Sequence, residues 1–490
     1  MSAFKSLFKQ TFIYGLATVL PRMLSFILVP LYTSPEVLSS PAEYGKVSII
    51  FSYFVIFNVI LAYGMETAFF RFYTKEIDKS KVTSTSTISL LVSTLVFFVL
   101  ALLLQDQVAA ITEIDVKYIH LVIWILLLDA LVIIPFAWLR ATQKPMKYAL
   151  IKIINVVINL GLNLFFLLAL KDVASSSTIF QAIYIPNFEI SYIFISNLVA
   201  SAVTLLLLAS FYFKLRLSFD KKLWKQMMVY AIPILIAGVA FAINETFDRI
   251  LLDRMLPEDT AEADVGMYSA CYKLALFITL FATAFRLGIE PYFFSHSQTE
   301  NPQKNYARIL EFFVALGSVI LLTVVVFADV LKPYVIRDPS YWEAMSIVPI
   351  IMIANFCLGI YHNLSVWYKV TDRTRFGAYI SVVGAIITLA VNFALIPIIG
   401  YRGSALATLA AYAVMMLVSY FYGRKYYPIP YNLKKIGASF VFSVIFSLVF
   451  FYKFRENYVV GIAMLIVFLG IVYWLEKNTI RQLLNSKKTS

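Results

Sequence analysis

The residues of this chain that could do chemistry are ionisable and polar side chains inside long apolar segments. A charged group surrounded by apolar side chains and lipid is costly unless a partner or water compensates it, so each one is a functional candidate. Seven residues are candidates for lining a substrate cavity: Arg22, Asp129, Asn244, Glu245, Asp248, Arg249 and Lys273. Three more lie near predicted helix ends and are candidates for gating or helix-end roles: Glu66, Arg286 and Glu290.

The guanidinium of Arg22 suits an anionic ligand. Arg22 lies about 11 residues from either end of its apolar segment, where a side chain reaches the membrane surface with difficulty. Pro21 beside it would break the helix locally and free a backbone carbonyl. The planar fork of donors on arginine matches the oxygens of a phosphate or diphosphate. The alternative is a buried ion pair with Asp129, which lies at a similar predicted depth.

The seventh apolar segment carries the densest polar face. Asn244 and Asp248 are four residues apart and therefore neighbours on a helix surface. Glu245 and Arg249 have the same spacing. Either this helix neutralises itself, or Arg249 points into a cavity while the carboxylates orient it or bind a coupling cation. Lys273 would lie at a similar depth and, together with the two arginines, would make such a cavity cationic.

The elements that position these residues must be membrane helices. Of the 490 residues, 61% are hydrophobic and 14% are charged, against about 25% charged in a soluble domain. At about 20 apolar residues per span, the chain can form about 14 spans. This composition excludes a nucleic-acid-binding protein, a disulfide scaffold and a disordered chain. The two cysteines lie in apolar stretches and the three histidines lie far apart, so we expect no metal site.

The predicted spans are separated by short connections. They lie at about 11–33, 44–66, 84–104, 117–139, 149–170, 190–213, 227–254, 265–290, 309–330, 343–368, 376–396, 404–423, 436–453 and 459–475. About two thirds of the 41 Lys and Arg residues fall in the even-numbered connections and the two tails. The positive-inside tendency therefore predicts that both termini are cytoplasmic. The net charge of +13 then belongs to the cytoplasmic rim, where it faces anionic lipid rather than nucleic acid.

Short motifs recur in the two halves of the chain in constant order, at a spacing that drifts from roughly 216 to roughly 229 residues. The matched positions include Tyr14 with Tyr230, Gly45 with Gly266, Glu66 with Glu290, Thr142 with Thr371, and Asn163 with Asn392. Six spans separate the copies, so both copies have the same orientation. Parallel repeats of this kind predict two six-helix lobes around an axis along the membrane normal, with the substrate site between them. We therefore predict an N-terminal lobe (1–220), a C-terminal lobe (221–430) and two additional helices (431–490).

This arrangement resembles the polysaccharide flippases of the multidrug/oligosaccharidyl-lipid/polysaccharide exporter (MOP) superfamily. Three stretches carry the local resemblance: TFIYGLATVLPRMLSFILVPLYT from 11, DRILLDRML from 248 and VGMYSACYKLA from 265. The resemblance implies an all-α polytopic fold like that of the multidrug exporters called MATE, and a transporter rather than an enzyme. It implies that undecaprenyl-diphosphate-linked oligosaccharide is flipped across the bacterial inner membrane for surface polysaccharide such as O-antigen and lipopolysaccharide. Polysaccharide polymerase machinery is an expected partner.

Other functions remain open at this stage. The same fold could export small molecules in exchange for cations, although cationic drugs favour an acidic cavity. A flippase for the peptidoglycan lipid precursor is a close alternative. A membrane polymerase or acyltransferase is disfavoured by short loops and scattered histidines. No G-x-x-x-x-G-K-[ST] motif occurs, so we expect no nucleotide or other cofactor. Coupling to Na⁺, H⁺ or the membrane potential is expected instead.

Overall fold

A computed structural model describes residue 23 and residues 26–295 and 301–486 of the chain. In these residues the backbone is almost entirely helical and contains no strand. The chain forms two compact units, one up to Ser269 and one from Ala270 onward. The candidate Arg22 lies outside the described residues.

The first unit contains twelve described helices and most of a thirteenth. They are α1 (Val29–Tyr32), α2 (Pro41–Ala62), α3 (Met65–Lys75), α4 (Lys79–Leu103), α5 (Gln105–Thr112), α6 (Val116–Leu131), α7 (Ile133–Ala141), α8 (Pro145–Leu164), α9 (Leu170–Ala174), α10 (Thr178–Ile183), α11 (Glu189–Phe213) and α12 (Lys221–Met255). A π-helical turn, Phe165–Ala169, joins α8 to α9. Helix α13 (Ala261–Leu274) begins in this unit and ends in the second.

The second unit continues with long helices joined by short turns. They are α14 (Leu276–Ser295), α15 (Pro302–Val326), α16 (Ala328–Val335), α17 (Val348–Leu364), α18 (Val366–Val370), α19 (Arg375–Ile399), α20 (Tyr401–Tyr426), α21 (Leu433–Lys453) and α22 (Tyr458–Ser486). A 3₁₀ segment, Pro339–Ile347, precedes α17.

Twelve helical segments in the described residues are long and apolar enough to cross a membrane. A thirteenth span arises if α13 and α14, which are bent by 48° at their junction, are counted as one. These segments coincide with the predicted spans from 44–66 to 459–475, so the all-α, polytopic membrane fold is confirmed. The first predicted span, 11–33, lies mostly outside the described residues. The division into lobes at 220 and 430 stays a prediction.

Packing against α3 holds the long helix α12 in the first unit. Met65 and Phe69 of α3 and Met227 and Ala231 of α12 are buried in one apolar cluster. The chain turns between α2 and α3 at Gly64, whose φ of +72° is left-handed. A Cβ there would also stand 2.5 Å from the carbonyl oxygen of Ala231, so only glycine fits. This close approach fixes the helix that carries most of the candidate site.

Asn163 and Asn392, which the sequence repeat pairs, make the same local hydrogen bond. Both side chains are fully buried, and each Nδ2 donates to the carbonyl four residues earlier, at 2.8 Å and 2.7 Å. Each Oδ1 accepts from a hydroxyl on another segment, Tyr32 at 2.8 Å and Ser404 at 2.6 Å. These amides therefore join helices, as polar groups in membrane bundles commonly do.

The repeat does not extend to the backbone at Gly64 and Gly288. Gly64 breaks the helix, whereas Gly288 lies inside the continuous helix α14. The second copy instead bends by 48° at the junction of α13 and α14. Similar residues at these two positions therefore do not impose the same turn.

An ion-pair cluster ties the last two helices to the rest of the second unit. Arg455, in the loop between α21 and α22, donates from Nε and Nη2 to the two carboxylate oxygens of Asp329 at 2.8 and 2.7 Å. Lys332 Nζ donates to Asp329 Oδ1 at 2.7 Å. Burial raises the pKa of Asp329, but the bonds from Arg455 and Lys332 outweigh it and leave the pKa below its ordinary value.

Candidate functional site

The centre of the candidate site is a buried ion pair between adjacent residues of α12. Arg249 Nη1 donates to Asp248 Oδ1 at 2.8 Å and to the backbone carbonyl of Glu245 at 2.9 Å. The backbone amide of Arg249 also donates to Asp248 Oδ1 at 2.9 Å. Asp248 is 3% exposed and Arg249 is 9% exposed. The pair neutralises itself inside a membrane-spanning helix, which is one of the two arrangements left open by the sequence.

Tyrosines complete the surroundings of this pair. The hydroxyl of Tyr268 on α13 donates to Asp248 Oδ2 at 2.6 Å, so both carboxylate oxygens are engaged. The guanidinium of Arg249 lies 5.5 Å from the centre of the Tyr268 ring. Tyr44 on α2 interacts electrostatically with Arg249, and its ring is 6.3 Å from that of Tyr32. Helices α2 and α13 therefore both place a tyrosine near the buried arginine of α12.

The other two candidates on α12 differ in exposure. Asn244 is buried, at 3% exposure, and the side chain of Glu245 is half-buried. Glu245 contributes its backbone carbonyl to Arg249, as described above. Because these residues occupy the turn that precedes Asp248, they lie on the same part of the helix.

Asp129 belongs to a second polar group in the first unit. Its Oδ1 accepts a hydrogen bond of 2.7 Å from the hydroxyl of Ser201 on α11. Lys152 on α8 interacts electrostatically with Asp129, and its ammonium lies 4.3 Å from the centre of the Phe136 ring. An acid and a base are therefore held within one helix bundle with apolar and aromatic neighbours.

Glu66 forms an ion pair at the beginning of α3. Arg140 Nη1 of α7 donates to Glu66 Oε1 at 2.6 Å, and its guanidinium lies 4.7 Å from the Phe70 ring centre. Both side chains are about two fifths exposed. This contact joins two helix ends, and whether it also gates transport stays a prediction.

The remaining candidates lie in the second unit or outside the described region. Lys273, near the end of α13, and Arg286, on α14, are both half-buried. The side chain of Glu290 lies outside the described part of the chain, as does Arg22. The described residues contain no group of three His, Cys, Asp or Glu side chains that could hold a metal ion.

Sequence reasoning missed the partners of three acidic candidates. Tyr268, Ser201 and Arg140 contact Asp248, Asp129 and Glu66, respectively. Tyr268 stands inside the VGMYSACYKLA stretch, so a signal for it was present. Ser201 lies in an apolar helix without any distinguishing spacing, and only the packing of α6 against α11 identifies it.

Chemically, the site holds charge and hydrogen-bonding groups in place and presents no nucleophile with an adjacent base among these contacts. A fixed guanidinium with carboxylate and phenol partners can bind and orient an anion or a polar ligand. Together, the polytopic fold and the buried polar groups define a class: a polytopic membrane protein with a polar interior.

Comparison with known families identifies the chain more closely. A family model described as polysaccharide biosynthesis protein matches residues 7–297. The chain therefore belongs to the polysaccharide biosynthesis protein family. With twelve or thirteen candidate membrane spans in its described residues, it is a multi-pass membrane protein of that family. No curated protein sequence matches the chain.

Solved structures share the fold at low sequence identity. Lipid II flippase MurJ, in an inward closed conformation, has a TM-score of 0.72 and 15% identity, covering 96% of this chain and 100% of that chain. An inward-facing multidrug resistance MATE family transporter of the MOP superfamily has a TM-score of 0.61 and 14% identity, covering 86% and 95%. A MOP superfamily transporter from Pyrococcus furiosus has a TM-score of 0.60 and 14% identity, covering 89% and 96%. These likenesses confirm the MATE-like architecture predicted from the sequence.

Proposed function

We propose that the protein flips an undecaprenyl-diphosphate-linked oligosaccharide from the cytoplasmic to the outer leaflet of a bacterial inner membrane. The observation that carries this proposal is membership of the polysaccharide biosynthesis family over residues 7–297. Surface polysaccharide precursors are built on lipid diphosphates, so the cargo combines an anionic group with polar sugars and an apolar tail. Delivery to polysaccharide polymerase machinery would follow.

The buried Arg249 is a suitable group for recognising such cargo. Its guanidinium is held by Asp248 and the Glu245 carbonyl, and its planar fork of donors matches the oxygens of a phosphate. Because Asp248 neutralises it, a diphosphate would compete with that carboxylate rather than meet an uncompensated charge. That Arg22 and Lys273 add positive charge to the site stays a prediction from the sequence. The site would open to one side of the membrane at a time.

Coupling to Na⁺, H⁺ or the membrane potential would supply the driving force. The pair of Asp129 and Lys152 supports this idea because it places a carboxylate and an amine in the interior of one bundle. Protonation or cation binding at such a carboxylate changes the local charge and can therefore favour one state of a transporter.

A deletion strain tests the proposed cargo. We expect lipid-linked oligosaccharide to accumulate with its sugar accessible only from the cytoplasmic side, and surface polysaccharide to disappear. Expression of the wild-type chain should restore export, whereas the double variant Asp248→Leu/Arg249→Met, which leaves no unpaired buried charge, should not, at equal membrane abundance. Surface polysaccharide that persists at the wild-type level in the deletion strain would contradict the proposal.

The peptidoglycan lipid precursor is the second candidate cargo. The match to the Lipid II flippase structure favours this cargo, because the matched region covers 96% of this chain and 100% of that chain. Cell lysis and loss of peptidoglycan synthesis in the deletion strain, in place of a surface polysaccharide defect, would support this second function. Drug efflux would instead appear as increased drug susceptibility with normal polysaccharide.

A further inference from the structure

A basic pocket lies in the first unit where the beginnings of α4 and α8 meet the end of α11. Its volume is about 270 Å³. Five cationic side chains line it: Lys79, Lys144, Lys147, Lys214 and Arg216. Among the described residues, no carboxylate contributes to its lining. We call this cavity, with these five cations, the basic pocket.

The charge of the basic pocket is not compensated by the described part of the protein. None of its five cations forms an ion pair with a described carboxylate. By contrast, Lys81, only two residues beyond Lys79, pairs with Asp220 at 3.7 Å. Five like charges around one cavity repel each other, so an anion bound among them would be stabilised by all five.

Aromatic side chains form an apolar wall beside these cations. The ammonium of Lys144 lies 4.4 Å from the Trp138 ring, and that of Lys79 lies 5.4 Å from the Tyr73 ring. The Trp138 ring packs edge-on against Phe211 at 5.6 Å. Tryptophan and tyrosine concentrate at the level of lipid headgroups in membrane proteins. The aromatic wall of the basic pocket is therefore typical of protein surfaces at the level of lipid headgroups.

The segment that carries Arg216 is fixed to α4. The hydroxyl of Ser84 donates to the carbonyl of Arg216 at 2.5 Å and accepts from the amide of Ser218 at 2.8 Å. Thr85 Oγ1 accepts from the amide of Asp220 at 3.1 Å. Ser84 and Thr85 are fully buried, so these bonds are shielded from water. These bonds therefore fix the Arg216 side of the pocket in position relative to α4.

We propose that the basic pocket binds the headgroup phosphate of an anionic phospholipid from the cytoplasmic leaflet. The connections that form the pocket are the ones predicted to face the cytoplasm, and basic pockets between membrane helices on that side suit anionic lipid headgroups. Apolar side chains next to the pocket would contact the acyl chains: Met146 is 66%, Phe213 88% and Leu217 82% exposed. A lipid can contact both the cations and these apolar side chains, which a free phosphate cannot do, so the lipid is the better occupant.

Lipid titration of the purified full-length chain tests the proposal. The probe is phosphatidylglycerol, whose headgroup carries a net negative charge. The comparison lipid is phosphatidylcholine, in which the choline cation neutralises the phosphate. Native mass spectrometry counts the bound lipids. Lys144→Gln/Lys147→Gln/Arg216→Gln should weaken phosphatidylglycerol binding at least about tenfold. The matched control is Lys221→Gln/Lys222→Gln/Lys225→Gln. It removes three exposed charges at the beginning of α12, which lie outside the pocket. It should change binding less than about twofold.

Several outcomes would overturn the proposal. Equal losses in both triple variants would mean that the general charge of the rim attracts lipid. Equal binding of phosphatidylcholine would show that the headgroup charge is not recognised. Displacement of phosphatidylglycerol by millimolar inorganic phosphate would assign the pocket to a free anion. Should the triple variant misfold, Lys144→Gln and Lys147→Gln taken singly, together with the phosphate competition on the wild-type chain, decide the question.

Discussion

Gly45 and Gly266, which the sequence repeat pairs, lie against each other at a helix crossing in the first unit. A Cβ on Gly45 would stand 3.2 Å from the amide nitrogen of Gly266, and one on Gly266 would stand 3.1 Å from the amide nitrogen of Gly45. The contacts are reciprocal, because Gly45 faces the carbonyl of Glu262 and Gly266 faces that of Pro41. Each glycine therefore makes the same kind of contact with the backbone of the other helix, as expected around a local two-fold axis.

Alanine at either of these glycines is predicted to destabilise the protein. The added methyl group would overlap a backbone carbonyl, which cannot rotate away as a side chain does. We expect Gly45→Ala and Gly266→Ala each to lower stability by about 1–3 kcal/mol. Thermal melting followed by fluorescence-detected gel filtration measures the effect.

Gly161→Ala is the matched control for these two variants. No atom lies within 4 Å of a Cβ at Gly161, and alanine favours a helix over glycine by about 1 kcal/mol. Its melting temperature should equal or exceed that of the wild type. If Gly45→Ala behaves in the same way, the close approach of α2 and α13 is wrong.

The ion pair of Asp248 and Arg249 is predicted to contribute to folding through mutual compensation. Asp248→Leu would leave a buried guanidinium without its carboxylate and should cost about 3–5 kcal/mol. The double variant Asp248→Leu/Arg249→Met removes both charges and should recover most of the abundance. Membrane abundance and melting temperature of the single and double variants are the measurements that check this prediction.

Transport by the same double variant separates packing from function. If Arg249 recognises cargo, the double variant should be abundant and inactive in polysaccharide export. Full export by the abundant double variant would assign the pair to structure alone. A double variant that is no more abundant than Asp248→Leu would contradict the compensation argument.

The contact between Asp329 and Arg455 predicts a pH dependence of stability. The pKa of Asp329 lies below its ordinary value of 3.8, so the pair stabilises the folded state fully above pH 3.8. That contribution is lost as the pH falls through the folded-state pKa. The wild type should therefore melt higher than Arg455→Gln at neutral pH, and the difference should shrink below pH 3.8.

Lys453→Gln is the control for this pH series, because Lys453 is exposed at the end of α21 and forms no ion pair within the described residues. It should melt like the wild type at every pH. A difference between wild type and Arg455→Gln that is unchanged down to the lowest pH at which the protein folds would contradict the role of Asp329.

The spans could be read from the sequence because lipid imposes a simple rule of length and apolarity on every helix. Buried polar positions with local partners could also be predicted from the sequence, since Asn163 and Asn392 bond to carbonyls four residues away. The partners of Asp129 and Asp248 could not be predicted, because they depend on which helix packs alongside. The spacing of Glu245 and Arg249 predicted that they are neighbours, and Arg249 donates to the Glu245 carbonyl. The contact of Arg249 with the carboxylate of the adjacent Asp248, at 2.8 Å, carries no such spacing signal.

Membrane orientation can be tested with single cysteines. The native Cys271 and Cys357 are 0% and 2% exposed, so they should react little with a membrane-impermeant maleimide. The positive-inside tendency predicts that Asp106→Cys and Glu258→Cys react from the outside of intact cells. Lys222→Cys and Lys434→Cys should react only after permeabilisation. A reversed result at any one position would mean that a span has been miscounted.

Reconstituted flipping tests the central claim most directly. Lipid-diphosphate-linked oligosaccharide is placed in both leaflets of vesicles, and a membrane-impermeant glycosidase cleaves the sugars it can reach. We predict that vesicles containing the purified protein allow nearly all of the sugar to be cleaved and that empty vesicles stop at about half. The folded double variant Asp248→Leu/Arg249→Met should stay close to the empty-vesicle value. Cleavage that stops at half with folded wild-type protein, under an imposed Na⁺ gradient, pH gradient or membrane potential, would contradict the account.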